Sequence, residues 1–429
     1  MIKEQKMDNL LNKARVIRLA AGLSMLLTSL GACGSDDKST NTADNGAEPI
    51  KIGLLTTLTG ALARQGQTYR ATTEMARDEI NEAGGVLGRP IELVIADTQT
   101  DPTAAVVAAQ RLVDQGVVAI AGPVISSSTL EVAASVAIPQ QVPIIANAAT
   151  SPAISSIDDG GMVWRTALSD AFKGSIVARF AFEQGRRRAA VLHVDNSFGH
   201  GMAGEFSAAF TALGGEVIVR TYYPELSADE IRDFDYRPIV EEVLSDKPDL
   251  LYMIGFTEDG IKIIIAADTR ISDDYQPLFI TELSSNESVL NEIGTYEGLI
   301  GIVQEGATSP PQQAFIERFR SRYDSEPDQF ADTAYDAFYL LALAIEQAGS
   351  TEAEAITAQL QSVSSGGTIV EGGAFAAALE QIHAGNDIDY EGASGSIDFD
   401  SKGDVSSGTF RVWKIENGAY VDVEVITVP

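Results

Sequence analysis

The residues best suited to chemistry follow a short apolar run at 117–121, which has the pattern of a buried strand. After Gly122-Pro123 come three serines and a threonine at 126–129, and a helix is predicted over 128–138. Hydroxyl groups and free backbone N–H groups at a helix N-terminus, reinforced by the helix dipole, form an anion site. The pattern fits a carboxylate, although an ordinary helix cap uses the same residue types.

A glycine-rich run at 199–204 spells G-x-G-x-x-G after a predicted strand. In dinucleotide sites the first glycine follows the strand almost directly, whereas here residues 195–198 intervene, so we do not expect a nucleotide. The histidines His193, His200 and His383 lie too far apart for metal-ligand spacing. We expect His193 to pack in a core, and His200 to lie at a cleft rim where it is a weak candidate for ligand contact. No catalytic constellation is visible, so the sequence predicts a protein that is not an enzyme and has no metal and no cofactor.

Strands and helices alternate along most of the chain. The first series has predicted strands at 51–55, 91–96, 117–121 and 144–146, with helices at 66–83, 102–115 and 128–138. The second series has strands at 188–194, 216–222, 250–254 and 277–280, with helices at 173–184, 201–213, 239–245 and 259–268. The remainder holds helices at 311–323, 331–348 and 352–361 and strands near 397–399 and 410–415. This alternation predicts an α/β fold of two doubly wound parallel-sheet units, which the remainder completes.

The charge balance excludes one class of partner. Sixty-one acidic residues stand against 30 basic ones, which gives a formal net charge of −31 spread along the chain. Phosphate binding needs Lys and Arg to displace counterions, so nucleic acid is not an expected partner. The acidic excess indicates a strongly solvated surface.

The only cysteine, Cys33, closes the run Leu30-Gly31-Ala32-Cys33 after basic residues and a short apolar stretch. This arrangement resembles the signal peptide and lipobox of bacterial lipoproteins, which implies cleavage after residue 32 and acylation of Cys33. More than one acyl chain gives stable anchoring to a lipid bilayer. Residues 33–48 lack large apolar side chains and are predicted to be a disordered tether. A buried cysteine behind an uncleaved helix is the alternative.

Several motifs in the first predicted unit carry a family resemblance. They are Ile52-Gly53-Leu54-Leu55-Thr56-Thr57-Leu58-Thr59-Gly60, Asp78-Glu79-Ile80-Asn81-Glu82-Ala83-Gly84-Gly85, Gly88-Arg89-Pro90-Ile91, Asp97-Thr98-Gln99 and Gly122-Pro123 before the serine run. The chain resembles the class I periplasmic-binding-protein fold, and in particular the leucine/isoleucine/valine-type solute-binding component of ABC importers. The resemblance implies two lobes joined by three hinge crossovers, here near Ser169, Val303 and Ser394. Lobe 1 would comprise 49–169 and 303–393, and lobe 2 would comprise 170–302 and 394–429.

The resemblance also implies ligand contacts in the first lobe. Ser126 matches a hydroxyl that binds a ligand carboxylate. Ala148, through its backbone, and Thr150 match the loop that contacts the carboxylate and amine. Gln65 stands where branched-chain binders often carry an aromatic residue.

Further contacts are implied in the second lobe. Phe198 and Phe256 fall where relatives carry ligand-facing tyrosines, so the pocket has lost hydroxyl groups. Glu282 matches the acidic residue that pairs with a ligand ammonium, and Asp170 is a weaker polar candidate. We therefore expect carboxylate and ammonium recognition with a preference for apolar or aromatic side chains.

Together these features predict a lipid-anchored, extracytoplasmic receptor, periplasmic or at the cell surface, that captures an amino acid or related small carboxylate. It would deliver this solute to an ABC permease in the inner membrane. A ligand-sensing receptor of the same fold without transport, and an enzyme, are the alternatives. The sequence leaves the solute, the membrane that holds the anchor and the oligomeric state open.

Overall fold

The computed structural model describes residues 48–428, apart from 273, 286, 294–295 and 305–308. The predicted signal peptide, the lipidation site Cys33 and the tether up to residue 47 lie outside the described residues. Within the described part of the chain, no helix is both long enough and apolar enough to cross a membrane.

Five parallel strands form the first sheet, in the order β2-β1-β3-β4-β5. The strands are β1 (Ile50–Thr56), β2 (Ile91–Asp97), β3 (Ala119–Ala121), β4 (Ile144–Ala146) and β5 (Val163–Arg165). The accompanying helices are α1 (Ala63–Glu82), α2 (Pro102–Asp114), α3 (Ser126–Val132) and α4 (Ile138–Gln140), with a π-helical turn at Ala133–Ala137 and a 3-10 turn at Ile154–Ser156. Ile52 and Leu54 belong to one apolar core and Leu55 to another, so both faces of the sheet are covered.

Seven strands form the second sheet, in the order β15-β14-β10-β9-β8-β6-β7. The strands are β6 (Arg188–Val194), β7 (Glu216–Tyr223), β8 (Leu250–Ile254), β9 (Leu278–Thr281), β10 (Ile300–Gln304), β14 (Gly408–Glu416) and β15 (Ala419–Val428). The first five are parallel, and the last two pair antiparallel along one edge. The accompanying helices are α5 (Asp170–Glu183), α6 (Ser197–Ala212), α7 (Ala228–Asp233), α8 (Arg237–Leu244), α9 (Thr257–Asp268) and α10 (Glu287–Ile293).

The segment between β10 and β14 returns to the first sheet. It contains α11 (Pro310–Tyr323), α12 (Ala331–Ala348), α13 (Ala353–Val363), α14 (Phe375–His383) and a small sheet of β11 (Thr368–Glu371), β12 (Ile388–Gly392) and β13 (Gly395–Ser396). Helix α12 is almost wholly buried and packs against α1, β3 and β4. The chain therefore passes between the two sheets three times: after β5, after β10 and after β13.

The predicted fold class, two doubly wound α/β lobes with three crossovers, is confirmed by this topology and by the structural relatives described below. The exact lobe boundaries stay a prediction. Several element limits differ from the sequence expectation. Helix α3 begins at Ser126, because Ile125 is still extended, and α5 begins at Asp170, because the Ser169 hydroxyl caps the Ala171 N–H. The small sheet, α14, β5 and β15 are absent from the sequence expectation: most are short, and β15 is mostly exposed and so lacks a buried apolar run. The strand predicted near 397–399 is wrong, because Phe399 forms only an isolated bridge with Val405.

Candidate ligand-binding site

A cleft of about 1020 Å³, its open mouth included, lies at the carboxyl ends of the strands of both sheets. Ligands of open α/β sheets bind at this edge. All eight residues predicted to contact a ligand line the cleft: Gln65, Ser126, Ala148, Thr150, Asp170, Phe198, Phe256 and Glu282. The structure therefore brings together residues from seven separate places in the sequence, and their role in binding stays a prediction.

Ser126 lines the cleft as the first residue of α3. Its side chain is buried, and its Oγ accepts a hydrogen bond of 3.1 Å from the Ser151 backbone N–H. That bond uses an oxygen lone pair and leaves the hydroxyl proton for donation. Ser126 can therefore hold an anionic oxygen that enters the cleft.

Thr150 is tied to Asp170 twice. The Thr150 hydroxyl donates to Asp170 Oδ2 at 2.7 Å, and the Asp170 backbone N–H donates to the Thr150 carbonyl at 2.8 Å. A hydroxyl has one proton to donate, so this arrangement leaves the Thr150 oxygen as an acceptor toward the cleft. Contact with a ligand carboxylate would require Thr150 to give up its bond to Asp170.

Burial raises the pKa of Asp170 to about 7, against the opposing effects of Lys173 and of the Thr150 hydrogen bond. The nearby Glu282 carboxylate adds to the rise. Desolvation disfavours the ionised carboxylate, and the positive charge of Lys173 offsets only part of that cost. Asp170 is therefore partly protonated at neutral pH.

Glu282 follows β9 and is already paired within the protein. Its Oε2 atom forms a salt bridge with the Lys173 ammonium, and its Oε1 atom accepts a hydrogen bond from the Tyr252 hydroxyl. Lys173 lines the cleft and Tyr252 lies fully buried in β8. Sequence reasoning missed both partners, because 109 positions separate Lys173 from Glu282. The predicted pairing of Glu282 with a ligand ammonium would therefore have to compete with Lys173 for the same carboxylate.

The apolar part of the cleft is formed by both lobes. Phe198 and Phe256 stack in the second lobe, and Phe256 also packs against an apolar cluster of the first. That cluster consists of Leu62, Tyr69, Val124, Ile125 and Ala334. An apolar ligand body placed here would bury its surface against both lobes at once.

An ion pair stands at the mouth of the cleft. Arg64 Nη1 lies 2.6 Å from Asp328 Oδ1, and the Thr68 hydroxyl donates to Asp328 Oδ2 at 2.8 Å. The Tyr69 hydroxyl donates to the Gln329 carbonyl at 3.0 Å. These bonds join α1, which carries Gln65, to the segment before α12.

The two lobes also touch directly beside the cleft. The Ser151 hydroxyl, in the first lobe, donates to the Ser197 carbonyl, at the start of α6 in the second, at 2.9 Å. Together with the Thr150–Asp170 bonds, this contact holds the cleft walls close to each other.

The structure places His200 away from the cleft lining. Its Nε2 atom lies 2.7 Å from Asp195 Oδ1, and its ring packs against those of His193 and Tyr222. The expectation of a weak ligand contact by His200 is therefore wrong, because its ring is turned toward these neighbours. His193 is buried in β6, as expected. Across the described residues, no three His, Cys, Asp or Glu side chains converge as metal ligands.

Comparison with known proteins identifies the class. A family model described as periplasmic binding protein matches residues 49–418, so the chain belongs to that family. The leucine-, isoleucine-, valine-, threonine- and alanine-binding protein of Pseudomonas aeruginosa is 26% identical over 370 residues, covering 86% of this chain and 90% of the relative. The resemblance drawn from the motifs is thus confirmed, and the chain is a solute-binding protein rather than an enzyme.

Two further relatives extend the comparison. A substrate-binding protein of a chemotactic signal transduction system in Halobacterium salinarum is 27% identical over 367 residues, covering 82% of this chain and 83% of the relative. The crystal structure of a leucine-binding protein from Thermotoga maritima superimposes with a TM-score of 0.72 at 26% identity, covering 88% of this chain and 98% of that one.

Proposed function

We propose that this chain is the extracytoplasmic solute-binding lipoprotein of an ABC importer, and that it captures an amino acid or related small carboxylate. One observation carries the proposal. Eight side chains from both lobes meet in one cleft that has a hydroxyl donor at one end and apolar surface along its walls. A small carboxylic acid with an apolar body complements both parts. The names of the amino-acid-binding relatives support the same substrate class.

Capture works through the hinge. A ligand whose carboxylate accepts from Ser126 and whose body packs on Phe198 and Phe256 contacts both lobes only when the cleft is closed. Such a ligand shifts the population toward the closed state by its differential affinity for that state. A permease that recognises the closed form then receives only loaded protein.

Binding is tested by calorimetric titration of the protein with a panel of amino acids and small apolar carboxylic acids. Ser126→Ala removes the proposed carboxylate donor, and we expect at least tenfold weaker binding of the ligand that wild type prefers. Ser127→Ala is the matched control, because Ser127 is the next residue of α3 and does not line the cleft. Equal affinity in wild type and Ser126→Ala would remove Ser126 from the site.

Lipid anchoring is tested at Cys33, the only thiol in the chain. We expect Cys33→Ser to abolish labelling by radioactive fatty acid and to leave the precursor uncleaved by the lipoprotein route. Unchanged labelling of that variant would overturn the anchor.

Sensing without transport is the second candidate, and the chemotactic relative favours it. Uptake of the bound solute by cells lacking this protein separates the two roles. Lost uptake supports import. Normal uptake together with a lost behavioural response to the solute supports sensing.

A further inference from the structure

A lysine of the cleft pairs with Glu282, the carboxylate that the family resemblance assigns to a ligand ammonium. Lys173 lies in α5, lines the cleft and is buried, with 7% of its surface exposed. Its ammonium forms a salt bridge with Glu282 Oε2. A buried lysine is rarely found without such a partner, because desolvation of its charge is costly.

The second oxygen of Glu282 is engaged as well. Oε1 accepts from the hydroxyl of Tyr252, which is fully buried in β8. A ligand ammonium that approached Glu282 would have to displace Lys173, or lie beside it as a like charge in a shielded cleft. Like charges repel more strongly in such a site than in water.

The other carboxyl groups of the cleft are engaged within the protein as well. Asp170 is buried, its Oδ2 accepts from the Thr150 hydroxyl, and the positive charge of Lys173 acts on it as it does on Glu282. Asp328 at the mouth pairs with Arg64. An incoming ammonium therefore finds Glu282 and Asp328 already paired with a cation of the protein, and would meet the like charge of Lys173 at Asp170.

We infer that the cleft selects a small apolar carboxylic acid without an α-ammonium group, and that Lys173 is the residue that sets this choice. The inference rests on the proposed function and names its substrate class. Ser126 receives the carboxylate, the apolar walls receive the body, and Lys173 neutralises Glu282 in place of the ligand.

The test uses matched pairs of ligands that differ only in the α-ammonium: leucine against 4-methylpentanoate, and phenylalanine against 3-phenylpropanoate. Dissociation constants are measured by calorimetry at pH 7, and the ratio within each pair is the readout. In wild type we expect the acid without ammonium to bind at least tenfold more tightly. In Lys173→Gln, which frees Glu282, we expect the ratio to shift by at least tenfold toward the amino acid.

Three further variants sharpen the test. Lys173→Arg keeps the cation and is expected to keep the wild-type preference. The double variant Lys173→Gln with Glu282→Gln removes both charges of the salt bridge, so Glu282 is not left as an unpaired buried carboxylate. It is expected to show an intermediate ratio even if the single variant fails to fold. Lys402→Gln, at an exposed turn, is the control and is expected to leave the ratio unchanged.

The outcomes are distinct. Tighter binding of the amino acid by wild type, or an unchanged ratio when Lys173 is replaced in a folded variant, overturns the inference and leaves the proposed function standing. Failure of wild type to bind either class overturns the proposed function together with the inference.

Discussion

The rings of Phe198 and Phe256 stack on each other in the second lobe, with centroids 5.8 Å apart and planes inclined by 24°. Each residue lies just beyond the carboxyl end of a strand, β6 for Phe198 and β8 for Phe256, and these strands are neighbours in the sheet. Parallel neighbours deliver the residues that follow them to the same edge, so two positions 58 residues apart (256 − 198) form one surface. The cleft wall they create offers ring faces without hydroxyl groups.

This wall leads to a prediction about side-chain preference. We expect Phe256→Ala to weaken binding of 3-phenylpropanoate about tenfold, because the variant loses apolar contact with ligand and first lobe together. Ligands with apolar bodies should raise the melting temperature of wild type, whereas serine and glutamate should not. A buried ligand hydroxyl without a partner costs about 1–3 kcal/mol, and an unpaired side-chain carboxylate costs more. Thermal-shift and calorimetric titrations measure both effects. Ile265→Ala, at an exposed position on α9, serves as the control, and a response to serine or glutamate alone would contradict the assignment.

A second prediction concerns pH. The unfolded Asp170 carboxyl releases its proton near pH 4, whereas the folded one holds it to about pH 7. The folded state thus binds more protons between these values, so this residue lowers the free energy of unfolding as the pH rises from 4 to 7. We expect Asp170→Asn to remove that loss. The free energy of unfolding of the variant minus that of wild type should therefore be larger at pH 8 than at pH 4, by at most about 4 kcal/mol.

Denaturant unfolding at the two pH values measures this difference. Burial also raises the pKa of Asp332 to about 7, so Asp332 also lowers the free energy of unfolding as the pH rises. The free energy of unfolding of Asp170→Asn will therefore still depend on pH, and it must be compared with that of wild type at each pH. Asp233→Asn, at an exposed position, is the control. Identical pH profiles for Asp170→Asn and wild type would refute the prediction.

The third prediction concerns Arg165, which is fully buried at the end of β5. Its guanidinium donates to Asp404 Oδ1 at 2.6 Å, to the Ala149 and Ser151 carbonyls at 3.2 and 2.9 Å, and to the Ser155 hydroxyl at 2.8 Å. These bonds fix the loop that carries Thr150 to the chain near the third crossover.

Arg165→Met should therefore lower the free energy of unfolding by about 3–5 kcal/mol, because it leaves the buried end of the Asp404 carboxylate without its cation and the Ala149 carbonyl without this donor. Arg165→Lys should cause a smaller loss, because an ammonium keeps the charge but cannot reproduce the several directed hydrogen bonds of the planar guanidinium. Denaturant titration measures the change, with the exposed Arg179→Met as the control. A loss below about 1 kcal/mol for Arg165→Met would show that the loop is held by other contacts.

The fourth prediction compares two helical glycines. In α1, a Cβ atom at Gly66 would overlap with the Thr57 carbonyl oxygen, whereas in α6 a Cβ atom at Gly204 meets no atom within 4 Å. We expect Gly66→Ala to destabilise the protein by more than about 1 kcal/mol and to weaken ligand binding, because it displaces α1, which carries the cleft residue Gln65. Gly204→Ala should instead stabilise by about 0.4–1 kcal/mol. Thermal denaturation decides it, and a stabilising effect of both substitutions would contradict the close packing at Gly66.

The sequence was sufficient to predict most strands of the two large sheets, because alternating apolar runs are a local signal, and the family resemblance supplied eight residues of the cleft lining. Ser126, Phe198 and Phe256 all lie shortly after a strand, and a parallel sheet gathers such residues at one edge. Pairings between side chains follow no such rule. In the sequence, nothing distinguishes Lys173 from other helical residues or marks Arg165 as more than the end of a short strand. Only the fold places Glu282 beside Lys173 and Asp404 beside Arg165. Asp170 could be named as polar, but its raised pKa depends on burial that no spacing encodes.

Each sheet is finished by chain that comes much later in the sequence. The first sheet, whose last strand ends at Arg165, is covered by Ala331–Ala348, and the second, whose parallel strands end at Gln304, receives its edge from Gly408–Glu416. During synthesis, both lobes therefore remain incomplete until these segments emerge, and native pairing must await contacts of long sequence separation, which are slow to form. Because of this order of segments, neither lobe can complete its native core until most of the polypeptide has been made.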